Sequence, residues 1–289
     1  MSNGPCCESP LVTGGAYARG FDVSIDGMYG DPSYTATVSE FRLDKYEATV
    51  GRFRQFVAAG QGTRANPPMP GAGTHPRIAG SGWDASWNIN LVADTPALLA
   101  AHKCDATYQT WTDTPGANEN RPMVCIDWYE AMAFCAWDGG FLPTEAEWNY
   151  AAAGGSEQRA YPWSNPPSSI SIDSTRASYH DGTTCVGDGM PGCALTDLVA
   201  VGTKPAGDGR WGQSDLAGNV WEWTLDWYAS PYPQTPCIDC ANLTPGTVQA
   251  CRGGSFSRDV TLLRAAARYP GGGSPGRYND LGVRCARTP

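Results

Sequence analysis

The stretch at 218–227, GNVWEWTLDW, constrains the fold most, because it sets Glu222 directly between Trp221 and Trp223. An isolated charge among buried indoles is costly unless it is paired or holds a cation. The stretch therefore predicts one of three arrangements: an exposed aromatic platform, a core segment whose carboxylate is satisfied, or a metal site.

The composition is that of a globular chain long enough for a full core. Of its 289 residues, 41% are hydrophobic and 17% are charged, and the net charge is −9. The sequence contains no run of about 18 apolar residues, so it predicts no transmembrane segment. The acidic balance argues against nucleic acid as a partner, because phosphate binding needs clustered lysine and arginine.

Eleven cysteines are scattered along the chain, and only CIDC at 237–240 has the close spacing of a zinc-ligand pair. Without a second pair or a histidine cluster, this pattern favours disulfides in an oxidising compartment. The sequence opens MSNGPCCESP, without an apolar signal segment. We expect an exported domain, periplasmic, on the cell surface or secreted, whose leader is not present in this chain.

Regular elements are predicted to be few and separated by long loops. Residues 1–33 are glycine-rich and are predicted to form an N-terminal loop segment, whereas 34–50 has the β-branched and aromatic content of one or two strands. Residues 61–122 are predicted to form a long irregular insertion. Capping residues and terminating glycines predict three helices, between Thr49 and Gly60, Asp127 and Gly139, and Thr144 and Gly154. Together these elements indicate one α+β domain.

Four stretches, in this order, carry a family resemblance: LDKYEATVGRFRQFV, LPTEAEWNYAAAGG, GNVWEWTLDW followed by RGGSF, and LGVRCAR. Together they resemble the formylglycine-generating-enzyme family, also called the sulfatase-modifying-factor family, over residues 10–287. The resemblance implies a single-domain α+β fold related to C-type lectins and low in regular secondary structure. Its strands would be twisted and antiparallel, with two main helices, and disulfides and calcium would stabilise it.

The resemblance implies a structural calcium ion beside the Trp-Glu-Trp turn. Two carboxylates and three main-chain oxygens would bind it, and calcium commonly takes such mixed sets of about six to eight oxygens. The alternative is that Glu222 is hydrogen-bonded to backbone donors or paired with an arginine, without metal. The implied ligands are Asp215, Leu216, Gly218, Val220 and Glu222.

A second calcium site of the family would lie at 177–193. Ser178 stands there in the place of an asparagine ligand, which weakens the expectation. Asp181 and Asp188 are the remaining candidate carboxylates.

Active members of the family oxidise a cysteine of a client peptide to formylglycine with O2. They use copper(I), held by two cysteines just after the GGS motif. The matching region here, GGSFSRDVTLLRAAAR, contains no cysteine, and the first copper position falls near Ser257 and Arg258. Copper(I) prefers soft thiolate ligands. We therefore expect no bound copper and no formylglycine formation by this route.

Five residues match or adjoin positions that line the family's active-site groove. For each of them a role in ligand binding and a role in the framework, as an ion pair or a turn cap, remain open. The candidate groove residues are Trp221, Ser255, Arg258, Arg268 and Asp280.

Cys135 and Cys285 occupy the positions of a disulfide that the resemblance implies. A second family disulfide is absent, because its positions hold Ala152 and Ala265. Other bridges must be local. The candidates are Cys104–Cys125 across the insertion, Cys185–Cys193 across a glycine-rich loop, and Cys237–Cys240, which would form either a bridge or a redox pair.

These features predict an exported, non-catalytic recognition domain that binds a peptide, a glycan or a surface protein in the lectin-like groove. One alternative is an oxidase or other enzyme with altered chemistry, in which Cys251, directly before RGGS, would take part. Another is a purely structural module. Iron chemistry is disfavoured, because His75, His102 and His180 are too dispersed for the compact ligand set that iron needs.

Overall fold

Three small sheets and four α-helices make up the regular structure of the computed structural model, which describes residues 8–273 and 275–289. The helices are α1 (Val50–Ala58), α2 (Thr95–Ala101), α3 (Trp128–Trp137) and α4 (Glu145–Ala152). The strands are β1 (Leu11–Val12), β2 (Gly15–Ala18), β3 (Thr35–Val38), β4 (Phe41–Leu43), β5 (Trp221–Trp227), β6 (Cys237–Ile238), β7 (Gln249–Arg252), β8 (Tyr269–Pro270), β9 (Leu281–Gly282) and β10 (Ala286–Arg287). Loops, turns and short 3-10 helices connect them, so the fold is a single α+β domain low in regular structure.

Helices α1, α3 and α4 begin where the capping pattern predicts. The side chains of Thr49, Asp127 and Thr144 each accept a hydrogen bond from the backbone N–H three residues ahead. Glu147 accepts a hydrogen bond from the N–H of Thr144 in return, which completes a capping box. Nearly every residue of α3 and α4 is buried, so both are core helices.

The largest sheet has the strand order β8-β7-β5-β9 and carries the Trp-Glu-Trp segment in β5. Strand β5 pairs antiparallel with β7 and parallel with β9, and β3 pairs parallel with β6. Two of the three sheets are therefore mixed, whereas the family resemblance implied antiparallel strands; the sheet β1-β4-β10 is antiparallel throughout. Parallel pairing is accessible here because long connections separate the paired strands along the chain.

The N-terminal segment 1–33, predicted as loop, contains two strands. Strand β1 pairs with β4, and β2 pairs with β3. A Cβ on Gly15 would lie 2.6 Å from the Tyr150 hydroxyl oxygen, so this glycine serves close packing within a strand instead of a turn. Residues 1–7, with Cys6 and Cys7, lie outside the described residues.

The insertion at 61–122 is mostly irregular, as predicted, but it contains α2 and a 3-10 helix at Ala85–Asn90. The Asp94 side chain caps α2 by accepting a hydrogen bond from the third residue ahead. Trp83 and Leu98 are buried in the main hydrophobic core, so the insertion is part of that core.

Four disulfides cross-link the loops: Cys104–Cys125, Cys135–Cys285, Cys185–Cys193 and Cys237–Cys240. The Cys135–Cys285 bond joins α3 to the segment between β9 and β10, across a separation of 150 residues. Cys251 is the free cysteine of the described part of the chain.

Among the residues that the structure describes, no helix combines the length and the apolar character needed to cross a membrane.

Candidate recognition site

The parallel pairing of β5 with β9 places the predicted groove residues Trp221 and Asp280 side by side. Trp221 is opposite Leu281 in the register, and its N–H donates to the Asp280 carbonyl oxygen at 2.8 Å. Two residues separated by almost sixty positions are therefore adjacent because their strands pair.

A tight turn after β7 delivers Ser255 to the same place. Gly253 and Gly254 both have positive φ, 99° and 73°, a conformation that favours glycine. A Cβ on Gly254 would also lie 2.6 Å from Cδ1 of Leu263. The GGS motif is thus a steric requirement of the turn that leads into the site.

Three side chains meet at the Asp280 carboxylate. Its Oδ2 accepts hydrogen bonds from Ser255 Oγ at 3.0 Å and from Ser257 Oγ at 3.5 Å, and it lies 3.2 Å from Nη2 of Arg258. Arg258 leaves 40% of its side chain exposed, whereas Asp280 leaves 9%. We call Trp221, Ser255, Ser257, Arg258 and Asp280 the Asp280 cluster; it has a buried floor and an exposed rim.

Trp221 adds a buried aromatic ring to the cluster. Its indole stacks on the half-exposed ring of Tyr269, with ring centroids 5.2 Å apart. The indole Nε1 is buried and has no hydrogen-bond partner among the described residues. An unpartnered buried donor is uncommon in folded proteins, and a ligand acceptor would satisfy it.

Arg268, the fifth predicted groove residue, does not join the cluster. Its Nε and Nη2 donate to the two carboxylate oxygens of Glu145 at 2.8 and 2.6 Å. Its guanidinium also lies over the rings of Tyr228 and Tyr232. The structure therefore places Arg268 in an ion pair at the start of α4, the framework arrangement that the sequence left open.

The Glu222 carboxylate is paired with an arginine. Both of its oxygens accept hydrogen bonds from the Arg284 guanidinium, at distances from 2.8 to 3.1 Å, and Oε2 also accepts one from the Trp148 indole at 2.7 Å. Glu222 and Arg284 are both buried. Of the three arrangements considered for the Trp-Glu-Trp segment, the structure contains the core segment with a satisfied carboxylate.

Arg284 faces more negative charge than it balances. Glu47 and Asp215 are buried close to the Glu222–Arg284 pair. Burial raises the pKa of Asp215 to about 6. Burial, with repulsion from Asp215 and Glu222, raises the pKa of Glu47 well above its usual range. Three buried carboxylates against one guanidinium leave an excess that a proton or a bound cation must offset.

The surroundings of the implied calcium ligands are acidic and contain oxygen atoms that could bind a cation. Glu47 accepts from the Asn219 amide at 2.7 Å, and the Asn219 Oδ1 atom is buried without a partner among the described residues. Asp215 accepts one hydrogen bond, from the Gly202 N–H at 2.6 Å. The atoms that could bind a cation here are all oxygens, the ligand type that calcium prefers. Glu222 is the exception, because Arg284 already occupies both of its oxygens.

The residues of the second implied calcium site do not converge. Ser178 Oγ donates to the carbonyl oxygen of Asp197. Asp181 accepts hydrogen bonds from the backbone N–H groups of Thr183 and Thr184, and Asp188 accepts one from the backbone N–H of Met190. Asp181 thus stabilises its own turn, and Asp188, which also accepts a hydrogen bond from Thr196 Oγ1, links its turn to the following segment.

The residues of the groove do not fit copper(I). Cys251 is buried, and its Sγ donates to the carbonyl oxygen of Tyr269 at 3.6 Å. Burial, together with the nearby Asp280 carboxylate, raises the pKa of its thiol well above the usual range. The other cysteines of the described part are in disulfides, so no pair of thiolates is available there.

The three histidines lie in separate places. His75 Nε2 is 2.9 Å from Glu147, His102 Nε2 is 3.6 Å from Glu130, and His180 Nδ1 accepts from a neighbouring backbone N–H. No group of three histidine, cysteine, aspartate or glutamate side chains suited to a metal ion occurs in residues 8–273 and 275–289.

Two residues of these sites, Glu47 and Arg284, were not predicted from the sequence. Glu47 and Arg284 lie within LDKYEATV and LGVRCAR, which were used there only as family motifs. The charged residues in these otherwise apolar stretches were the available signal, because such a charge in the core needs a partner.

The fold and the site define a single-domain α+β protein built around a Trp-Glu-Trp strand and a GGS turn. The chain belongs to the family of the sulfatase-modifying factor enzyme 1-like domain, whose model matches residues 2–289.

Two curated relatives illustrate the range of the family. The formylglycine-generating enzyme of Streptomyces coelicolor is 31% identical over 299 residues, covering 95% of this chain and 87% of its own. The inactive C-alpha-formylglycine-generating enzyme 2 of Bos taurus is 29% identical over 300 residues, covering 99% of this chain and 90% of its own. The chain is thus similar both to a protein named as a formylglycine-generating enzyme and to one named as inactive.

Solved structures support the same fold. PvdO from Pseudomonas aeruginosa superposes with a TM-score of 0.66 at 21% identity, covering 99% of this chain and 95% of its own. Treponema denticola variable protein 1 gives a TM-score of 0.59 at 20% identity, covering 97% and 95%.

Proposed function

We propose that the chain is an exported, non-catalytic recognition domain that binds a peptide, a glycan or a surface protein at the Asp280 cluster. The observation that carries the proposal is the Arg258–Asp280 ion pair, which occupies the region where active relatives need two thiols. A hydroxyl, a guanidinium and a carboxylate are hard or cationic groups and do not hold copper(I).

The Asp280 cluster offers the chemistry of a binding surface. Arg258 and Ser257 present donors at the rim, and Tyr269, stacked on the buried Trp221, presents an aromatic ring. Tryptophan, tyrosine and arginine are the residue types that contribute most to binding at protein interfaces. The relation of this surface to the groove of C-type lectins remains a prediction.

The enzyme alternative, an oxidase or other altered chemistry, has less support. Cys251 is a single buried thiol with a raised pKa, which is the opposite of an activated nucleophile. The relative named as inactive supports the idea that this scaffold persists without formylglycine-generating activity.

Export is supported by the disulfides. Four of them in one domain agree with an oxidising compartment, because thiols are kept reduced in the cytosol. Periplasm, cell surface and extracellular medium all satisfy this requirement.

We also propose that structural calcium binds beside β5, at Asp215 and the main-chain oxygens of Leu216, Gly218 and Val220, with Glu222, the fifth ligand that the resemblance implies, held by Arg284 instead. The support is the uncompensated negative charge around Arg284.

A chelator should lower the melting temperature and added calcium should restore it, because a cation that binds only the folded state stabilises it. Thermal melts with EGTA and with calcium check this, and magnesium is the control. Identical melts, with no calcium in the metal analysis, would remove the site.

The recognition proposal is tested by screening the purified chain against displayed random peptides and a glycan array. We expect a binder whose affinity falls about tenfold in Arg258→Ala, since one charged hydrogen bond contributes about 1.5 kcal/mol or more. Ser257→Ala should weaken binding less. Arg42→Ala is the matched control, because Arg42 is exposed and lies on β4. No binder in either panel, or equal binding by all variants, would count against the proposal.

A further inference from the structure

A cavity of about 620 Å³ lies outside the Asp280 cluster and shares no residue with it. It is bounded by the end of β5, the segment 232–244 and the start of α4. The wall includes these charged and polar side chains: Arg19, Glu145, Asp226, Tyr232, Gln234 and Arg268.

Both carboxylates of this wall are already satisfied. Glu145 is paired with Arg268 and with the buried Arg252, at 2.6 and 3.0 Å. Asp226 accepts hydrogen bonds from the backbone N–H groups of Glu145 and Asn242, both at 2.7 Å. Neither carboxylate therefore needs a cationic ligand.

Arg19 is the exception among the charged groups of the wall. It is 5% exposed, and its guanidinium lies over the Tyr232 ring, 4.4 Å from the ring centroid, but no carboxylate within residues 8–273 and 275–289 forms a salt bridge with it. Its Nε is buried without a hydrogen-bond partner in the same residues. Its Nη2 donates to the carbonyl oxygen of Gln234 and to Thr235 Oγ1, and Nη1 has only the sulfur of Cys240 at 3.9 Å.

The charges around the cavity do not balance. The guanidiniums of Arg19 and Arg268 line the cavity with the carboxylates of Glu145 and Asp226. The buried guanidinium of Arg252, which does not line the cavity, adds a third positive charge against Glu145. A buried guanidinium without a counter-charge is costly, and a bound carboxylate matches its geometry with two parallel hydrogen bonds. The excess positive charge is located at Arg19.

We propose that this cavity is a second binding site, for a small ligand whose carboxylate pairs with Arg19. The volume suits a compact molecule, since ligand pockets commonly measure about 300–1,000 Å³. Asn242, Gln234 and Thr244 line the wall and offer amide and hydroxyl groups to the rest of the ligand. Acidic sugars and acylated acidic amino acids share this chemistry.

Isothermal titration with four probes tests the proposal: galacturonate and N-acetylglutamate, with galactose and N-acetylglutaminamide, in which both carboxyl groups are amides, as their neutral counterparts. At least one acid should bind, and its neutral counterpart should bind at least tenfold more weakly. Binding of galacturonate would indicate an acidic sugar as the ligand, and binding of N-acetylglutamate an acylated acidic amino acid. No binding of either acid, or equal binding of an acid and its neutral counterpart, would overturn the proposal.

The isosteric change Gln234→Glu supplies a carboxylate at the cavity wall and should weaken the acid at least tenfold. Gln234 is exposed, so the change is compatible with folding. Gln55→Glu makes the same charge change on the exposed face of α1 and should leave binding intact. Arg19→Lys, which keeps the charge but loses the bidentate geometry, should also weaken the acid. Unchanged affinity in Gln234→Glu and Arg19→Lys would refute the assignment.

The result is independent of the recognition proposal. Arg258→Ala should leave acid binding unchanged, because Arg258 does not line this cavity. Loss of acid binding in Arg258→Ala, with Gln234→Glu unaffected, would place the acid at the Asp280 cluster instead.

Discussion

Replacement of Arg284 with methionine should lower the free energy of unfolding by about 3–5 kcal/mol, the usual cost of removing one partner from a buried ion pair. Arg284 is fully buried and donates to both oxygens of Glu222. It also donates to the carbonyl oxygens of Asp44 and Ser214, so the segments around β4, β5 and β9 all lose a contact. Without it, Glu47, Asp215 and Glu222 have no guanidinium at their centre.

Urea unfolding of the purified variants measures this effect. Arg42→Met is the matched control and should change stability by less than about 0.5 kcal/mol, as surface substitutions usually do. The double variant Glu222→Gln/Arg284→Met should be less destabilised than the sum of the two single variants, because it leaves one uncompensated charge fewer. Strict additivity would show that the pair is not coupled and that the account of Glu222 is wrong.

Removal of the Cys135–Cys285 disulfide by a double alanine substitution should cost about 5 kcal/mol in the chain-entropy model. The bond closes a loop with a sequence separation of 150 residues, and it joins α3 to the last strands. The variant without this bond therefore has a higher conformational entropy in the unfolded state, because the loop-closure entropy grows with loop length.

The Cys237–Cys240 disulfide provides the comparison, because its sequence separation is only 3. The same model gives roughly 2 kcal/mol for its removal. Thermal and urea unfolding of both double variants, with the wild type under non-reducing conditions, check the difference. Peptide mapping without reduction should first show both linked pairs. An equal loss in the two variants would mean that chain entropy does not control the stability here.

Local signals in the sequence predict three of the four helices; α2, inside the insertion predicted as irregular, was missed. Thr49, Asp127 and Thr144 cap α1, α3 and α4, because a side-chain acceptor before a helix satisfies backbone N–H groups that have no other partner. The Trp-Glu-Trp segment also predicts a partner for Glu222 correctly, because a charge between buried indoles needs a counter-charge or hydrogen-bond donors, and Arg284 supplies both.

Strands and ion pairs are harder to predict, because they depend on partners that are distant in sequence. Strand β2 is short and begins with glycine, and only its pairing with β3 makes it a strand. Arg268 has a carboxylate partner in Glu145, 123 residues away, and nothing in the local sequence identifies that partner. The charge excess at Arg19 likewise becomes visible only when the segment 232–244 is in place beside it.

The central claim is that this member of the family binds without oxidising cysteine. The most direct measurement incubates the chain with a cysteine-containing sulfatase peptide, copper(I), reductant and O2, and follows the peptide by mass spectrometry. The formylglycine-generating enzyme of Streptomyces coelicolor is the positive control. Because the described residues provide one buried thiol and no thiol pair, the account predicts an unchanged peptide; aldehyde formation that Cys251→Ser abolishes would contradict it.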